Sequence, residues 1–343
     1  MQIVASRHHK QHATVLQLPG CPIPCFEIPE RAEAILMAVT AAKVGEVIAP
    51  QDFGSGPIQA IHSPEFIDYL RTAYESSRPF FEGQKPAIAD TYIGRGWRNK
   101  PSAFPGRMGY FAFDTTCPIL EGTWLAAYWS AQCAITAAEL VRQGERAAYA
   151  LCRPPGHHAA HDLHGGFCYL NNAAIAARAL QQGTHQRIAI LDIDYHHGNG
   201  TQEIFYQDAT VAYYSIHGDP NLDYPFFWGA REETGEAAGK GHNRNWPLPL
   251  ASNEETFLAA LDEALTAIAS FDPAFLVVSA GFDFMEDDPV PLGGGFRVGQ
   301  SGLIAAARRI ASLRRPTAIV QEGGYRVDKL GGYVVTFLQN FTH

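Results

Sequence analysis

Arg187-Ile-Ala-Ile-Leu-Asp192-Ile-Asp194-Tyr-His196-His197-Gly-Asn199-Gly200 is a short apolar run that breaks directly into carboxylates, imidazoles and glycines. Its apolar part, 187–193, has the length of a strand buried on both faces and is too short for an ordinary helix. The same pattern recurs on both sides of it, at 147–151, 210–216, 274–280 and 317–321. Segments with helical periodicity lie between these runs, at 171–182, 254–269, 299–313 and 327–340. The first third adds a strand at 2–5 and helices at 30–43, 64–76 and 123–142. Strands alternating with helices predict an α/β fold of three layers, a mainly parallel central sheet with helices on both faces.

Each of the five later strands runs into polar residues: Arg153-Pro-Pro-Gly-His157-His158, the Asp192–Asn199 stretch, Ser215-Ile-His217-Gly-Asp219, Gly281-Phe-Asp283 and Glu322-Gly-Gly-Tyr325. Ligands of open parallel sheets bind outside the carboxyl ends of the strands, so these loops are expected to meet at one crevice.

Composition narrows the ligand. The 343 residues carry 26 Lys+Arg against 35 Asp+Glu, a net charge of −9. With no basic block, this argues against nucleic acid and against an anionic membrane surface, and favours a small cationic partner. No apolar signal segment and no membrane-length apolar stretch is present, which leads to the expectation of a cytoplasmic protein. Six cysteines, at 21, 25, 117, 133, 152 and 168, are too sparse for a disulfide framework and read as buried thiols.

In extended chain, side chains two apart point the same way, so Asp194 and His196 can reach one ion together. Asp283 supplies a third ligand from another strand end. Three N/O ligands leave a position open, as at a catalytic zinc. Two carboxylates and one imidazole also admit Fe²⁺ or Co²⁺. His157 and His158 follow a rigid Pro-Pro-Gly turn, and Asp192 and Asn199 are two possible orienting partners for them. An imidazole bonded to Asp192 would be held cationic, and one bonded to Asn199 would stay neutral and able to act as a base. Tyr325 could donate to an oxyanion. Gly165-Gly166-Phe167 and Tyr224-Pro-Phe226-Phe227-Trp228 read as walls of a narrow apolar tunnel. Residues 79–122, with five Pro and six Gly in 44 positions, form a long irregular stretch of the kind that is usually functional.

RPPGHH, GGFCYLNN, LDIDYHHGNGTQ, SIHGDP, AGFD and EGGY, in that order, closely resemble the histone deacetylase superfamily. SIHGDP, with the long 79–122 insertion, resembles its bacterial acetylpolyamine amidohydrolases. The resemblance covers nearly the whole chain and implies one deacetylase domain, 1–343, of arginase-like fold, with about eight strands, a catalytic Zn²⁺ and amide hydrolysis releasing acetate. It matches Asp194, His196 and Asp283 to the zinc ligands, His158 to the general base and acid, and His157 to its electrostatic partner. Tyr325 matches the oxyanion donor, Asp192 and Asn199 the residues that orient the histidines, and Phe167 and Tyr224 the aromatic pair of the tunnel beside Gly166. Structural potassium is implied at Asp192, Asp194, His196, Ser215 and Ile216, and a second ion at Phe205, Asp208 and Val211.

The resemblance has one departure. Where the polyamine enzymes carry two glutamates in the insertion, this chain has Pro105 and Thr116, with Asp114 and Glu121 as nearby acids able to substitute. The insertion also resembles the segment through which those enzymes form homodimers. Alternatives are a protein or peptide lysine deacylase of the same chemistry, a binuclear arginase-type hydrolase, and a metal-containing binding module without turnover.

Overall fold

The computed structural model of the chain describes residues 1–13, 25–81, 86–94, 99–291 and 294–342; Cys21 lies outside them. In chain order the elements are β1 (Gln2–Ala5), α1 (Pro29–Ala41), β2 (Glu46–Ile48), α2 (Gly56–Gln59), α3 (Pro64–Ser77), α4 (Phe104–Tyr110), α5 (Thr123–Arg142), β3 (Ala147–Leu151), α6 (Asn172–Leu180), β4 (Ile188–Asp192), α7 (Asn199–Phe205), β5 (Val211–Gly218), β6 (Asn243–Leu248), α8 (Glu254–Phe271), β7 (Phe275–Ala280), α9 (Gln300–Ala311), β8 (Thr317–Gln321) and α10 (Val327–Thr342).

Local chemistry accounts for several boundaries. Helix α3 opens at Ser63, whose side chain accepts from Phe66 N–H, followed by Pro64 and by Glu65 in the first turn. Asn171 and Asn253 cap α6 and α8 in the same way. Helix α8 stops at Asp272, which turns left-handed at φ 51°. Helix α6 ends at Leu180, short of the expected 182.

The eight strands form one sheet in the order β2-β1-β3-β8-β7-β4-β5-β6, and every pairing is parallel. Side chains alternate between two cores: Tyr149 and Leu151 of β3 join α1, α8, α9 and α10 on one face, and Ala148 and Ala150 join α3, α5 and α6 on the other. The α/β three-layer expectation therefore holds, with a sheet that is wholly parallel among the described residues.

Two strands carried no signal in the sequence. Strand β2 is three edge residues, of which Glu46 and Val47 are exposed. Strand β6, Asn243-Arg-Asn-Trp-Pro-Leu248, turns buried Asn243 and Asn245 to the Gln202 carboxamide, both donating to its Oε1 (2.9 and 2.8 Å), while Trp246 and Leu248 enter the core on its other face, so one of its buried faces is polar. The 79–122 stretch is less irregular than it reads, since it contains α4 and an antiparallel bridge between Ala87 and Ile119.

Strand order positions the site. After β4 the chain moves to β5 on one side, and after β7 it moves to β8 on the other, while β4 and β7 are neighbours. Loops leaving adjacent strands in opposite directions open a crevice between them, at the carboxyl ends of β4 and β7. Among the described residues no helix is long and apolar enough to cross a membrane.

Candidate active site

The crevice is lined by the loops after β3, β4, β7 and β8. Asp194 and His196 follow β4, and Asp283 follows β7; each offers a ligand atom, and these atoms lie within 4.8 Å of one another. Both carboxylates are unexposed and His196 is 6% exposed. The backbone aims them: Asp194 Oδ1 accepts from His196 N–H (2.9 Å), Asp194 Oδ2 from Gly323 N–H (2.8 Å), and Asp283 Oδ1 from Tyr195 N–H (2.9 Å). A Cβ on Gly323 would lie 2.4 Å from Asp283 Oδ2 and 2.5 Å from Asp194 Oδ2, so only glycine leaves this cradle open.

Among the described residues no lysine or arginine pairs with either carboxylate. Burial, with the charge of Asp194 beside it, pushes the Asp283 carboxyl up to about 7. Two buried carboxylates and an imidazole with no fixed cation between them fit a divalent ion of the Zn²⁺ or Fe²⁺ kind.

His157 and His158 leave β3 side by side, rings 4.0 Å apart, and meet different partners. His157 Nδ1 lies 3.0 Å from Asp192 Oδ2, which also accepts from the Tyr213 hydroxyl. Burial alone would lower its pKa, but Asp194 and Asp192 outweigh it and lift the imidazole to about 10. His158 Nδ1 lies 2.7 Å from Asn199 Oδ1. Burial, reinforced by the charges of His157 and His196, drops its pKa well below the ordinary value. With Nδ1–H donating to Asn199, the neutral ring carries its lone pair on Nε2, which makes no hydrogen bond among the described residues.

Tyr325 is 7% exposed, and its hydroxyl makes no hydrogen bond among the described residues. Burial pushes its phenol up, so it stays a proton donor at neutral pH. The tunnel residues flank these groups. Phe167 stands edge-on to Tyr325 at 5.7 Å, and Tyr224 edge-on to His158 at 5.0 Å and to His196 at 6.0 Å. Gly166 and Phe167 are both left-handed, at φ +58° and +68°. A Cβ on Gly166 would fall 2.3 Å from the His158 ring, and the non-glycine Phe167 holds a conformation costing about 1–3 kcal/mol.

Several sequence expectations are placed differently. Phe226 and Phe227 are 47% and 74% exposed, so the second aromatic cluster contributes Tyr224 to the floor and does not wall it as a unit. Ser215 and His217 lie inside β5, where His217 is buried between Ser215 Oγ (2.8 Å) and Gly229 O (3.0 Å), so that strand sends no histidine into the crevice. Asp114 reaches the tunnel through Gly166 and Tyr224, whereas Glu121 is exposed before α5 and has no hydrogen-bond or ion-pair partner among the described residues. Ser215 is the register partner of Asp192, next to Ile216 on β5. Near Phe205 and Val211, the Asp208 carboxylate is already taken by Arg178 and Thr210.

Three supporting groups receive no role from the sequence, although Glu322 stands in one of the polar strand ends. The Glu322 carboxylate accepts from Gly156 N–H (2.6 Å), His157 N–H (3.2 Å) and Ser279 O–H (2.9 Å), holding the histidine loop from below. The buried Asp288 accepts from Tyr325 N–H (2.6 Å) and Arg326 N–H (3.2 Å). The Arg31 guanidinium, on α1, donates to Gly324 O and Glu322 O (both 2.6 Å) and lies 4.6 Å from the Tyr325 ring centre. An arginine within the apolar stripe Ala32, Ile35 and Val39 was the one available signal for Arg31.

Comparison with known proteins shows the family. The histone deacetylase domain family matches residues 25–340. The chain is 45% identical to acetylpolyamine amidohydrolase 1 of Pseudomonas aeruginosa, over 99% of each chain. It is 39% identical to acetylpolyamine amidohydrolase of Mycoplana ramosa, again over 99% of each. The crystal structure of acetylpolyamine aminohydrolase from Burkholderia pseudomallei superposes with a TM-score of 0.93 at 41% identity, covering 99% of this chain and 98% of that one. By its own motifs and by these likenesses, the chain belongs to the histone deacetylase family, within which it resembles the bacterial acetylpolyamine amidohydrolases, and it is a hydrolytic deacetylase.

Proposed function

We propose that the chain removes acetyl groups from N-acetylated polyamines or diamines by metal-assisted amide hydrolysis, acting as one deacetylase domain over 1–343 in the cytoplasm. The observation that carries this reading is the division of labour between two adjacent imidazoles, one bound to Asp192 and one to Asn199, beside the Asp194, His196 and Asp283 donors.

These three residues would hold the metal, Zn²⁺ in the first instance, with Fe²⁺ or Co²⁺ as substitutes. Bound there, a divalent ion polarises an amide carbonyl and acidifies water. His158, with its lone pair on Nε2, takes a proton from the attacking water, and the proton is then delivered to the leaving amine. His157, held cationic by Asp194 and Asp192, offsets the negative charge that develops beside it. The Tyr325 hydroxyl donates to the carbonyl oxygen as that charge grows. Phe167 and Tyr224 exclude water and orient the acyl amide. Structural potassium at Asp192, Asp194, His196, Ser215 and Ile216 belongs to the same reading; ligation at the second site would have to spare the Asp208 carboxylate.

Support for a small cationic substrate comes from the net charge of −9 and from the names of the relatives above. The insertion would narrow the mouth and join two copies into a homodimer, which sedimentation at micromolar concentration would test, a monomer counting against it. One observation favours a protein or peptide lysine deacetylase instead: neither Pro105 nor Thr116 offers an acid, and the Thr116 hydroxyl is engaged by Asp114 and by Phe167 N–H. Acetate release by zinc-loaded enzyme, comparing kcat/KM for acetylated polyamines and diamines with an acetyl-lysine peptide, separates the two. A tenfold preference for the free amines supports the proposal, and a preference for the peptide overturns it.

A further inference from the structure

Asp114 sits half-buried in the insertion with its carboxylate fully engaged. Oδ1 accepts from the backbone N–H and the hydroxyl of Thr116 (2.9 and 2.8 Å). Oδ2 leaves the insertion and accepts from Gly166 N–H (2.9 Å) and from the Tyr224 hydroxyl (2.7 Å). Thr116 Oγ1 accepts in turn from Phe167 N–H (3.2 Å). A carboxylate offers about four lone-pair directions, and four donors occupy these.

The groups so tied are the two rings of the tunnel. Gly166 and Phe167 carry consecutive left-handed backbones, a conformation that persists only where neighbours hold it. Tyr224 stands edge-on to both His158 and His196, so displacing its hydroxyl moves a ring that touches the base and a candidate metal ligand.

We propose that Asp114 is a positioning residue that couples the insertion to the tunnel, setting its width through Tyr224, Gly166 and Phe167, and that it does not bind the substrate's ammonium group. Thr116 is the second half of this clamp: its hydroxyl joins Asp114 to Phe167. Acyl and chain-length selectivity then follow from how the insertion seats, and cation selectivity does not depend on Asp114. The inference rests on the deacetylase reading above.

The test uses zinc-loaded wild type, Asp114→Ala, Tyr224→Phe, the double variant and Thr116→Ser. Substrates are an N-acetyl diamine and an uncharged N-alkylacetamide of equal length. Asp114→Ala is expected to lower kcat/KM by about ten-fold on both, with the larger share in KM, as loss of a charge-assisted hydrogen bond implies. The double variant should be no worse than Asp114→Ala alone, and Thr116→Ser, which keeps the hydroxyl, should stay within about two-fold of wild type.

A loss confined to the charged substrate would overturn the proposal, because it would mean that Asp114 meets the ammonium; so would losses that multiply in the double variant. Thermal unfolding of the same four-member cycle gives a readout independent of turnover: non-additive Tm losses support the clamp and additive ones overturn it. If wild type cleaves neither substrate, the deacetylase reading fails on its own and the unfolding cycle still decides the clamp. Should Asp114→Ala not fold, the isosteric Asp114→Asn takes its place in every arm.

Discussion

The floor of the crevice and its rim are built by opposite means. On the floor, Asp192, Asp194 and Asp283 leave the ends of central strands, have no exposure and are held by backbone N–H groups or by buried side chains. The rim is the insertion, which meets the body through buried side chains such as Met108, Phe111 and Ile119, the backbone pairing of His164 with Phe111 and Phe113, and the Asp114 carboxylate. The floor is fixed by the hydrogen bonds of the sheet, the rim by side-chain packing and a few loop hydrogen bonds. Chemistry that must stay within tenths of an ångström is therefore carried by the sheet, and selectivity, which must be free to change, by the loop.

The widest gap between the two regions should appear with Asp283→Ala. It removes one of three donors and leaves Asp194 and His196 without a shared partner, so activity should fall to assay background together with bound metal, measured by elemental analysis. Stoichiometric metal in that variant would break the assignment of the floor. Next in size is Tyr325→Phe, expected to cost about 10²–10³-fold in kcat while metal content and Tm stay at wild-type values. Full turnover there would remove the tyrosine from the chemistry.

A smaller, graded effect concerns the seam between the regions. His12, His62 and His164 are buried and depressed to about 3, chiefly by burial. Their folded pKa values lie below the unfolded one, so the stability they contribute is complete above about pH 6.5 and is lost as pH falls toward 3. Tm followed from pH 8 to pH 4 should drop below pH 6.5; a flat profile would show that the seam tolerates these charges. The smallest effect is expected of Glu121→Gln, under about two-fold in kcat/KM, as for an exposed residue away from special features. A larger change confined to cationic substrates would bring Glu121 back to the mouth.

The floor was legible in the sequence because strand periodicity and polar strand ends report the same place twice. The ends of β3, β4, β7 and β8 bring together His157, His158, Asp194, His196, Asp283 and Tyr325 as their spacing required. What stayed hidden depends on distant partners. Asp288 gains its meaning only from Tyr325 N–H, Glu322 from the loop after β3, and Arg31 from a carbonyl 293 residues away. Strand β6 escaped because one of its two buried faces is amide, satisfied by Gln202, which leaves only Trp246 and Leu248 as an apolar signal. The rim was the least legible part: nothing local tells whether Asp114 or Glu121 turns inward, and the answer comes from Gly166 and Tyr224.

The reversal of strand order between β4 and β7 also bears on biosynthesis. His196 and Asp283 are 87 residues apart in sequence, and β5, β6 and α8 are made between them. A chain emerging from the ribosome thus exposes Asp194 and His196 well before the strand bearing their third partner exists, and Tyr325 later still. A donor pair is a poorer trap than the completed triad, so under the proposed metal reading tight capture of an ion would wait for β7 to slot in beside β4, and synthesis itself would delay metallation until the sheet's centre has closed.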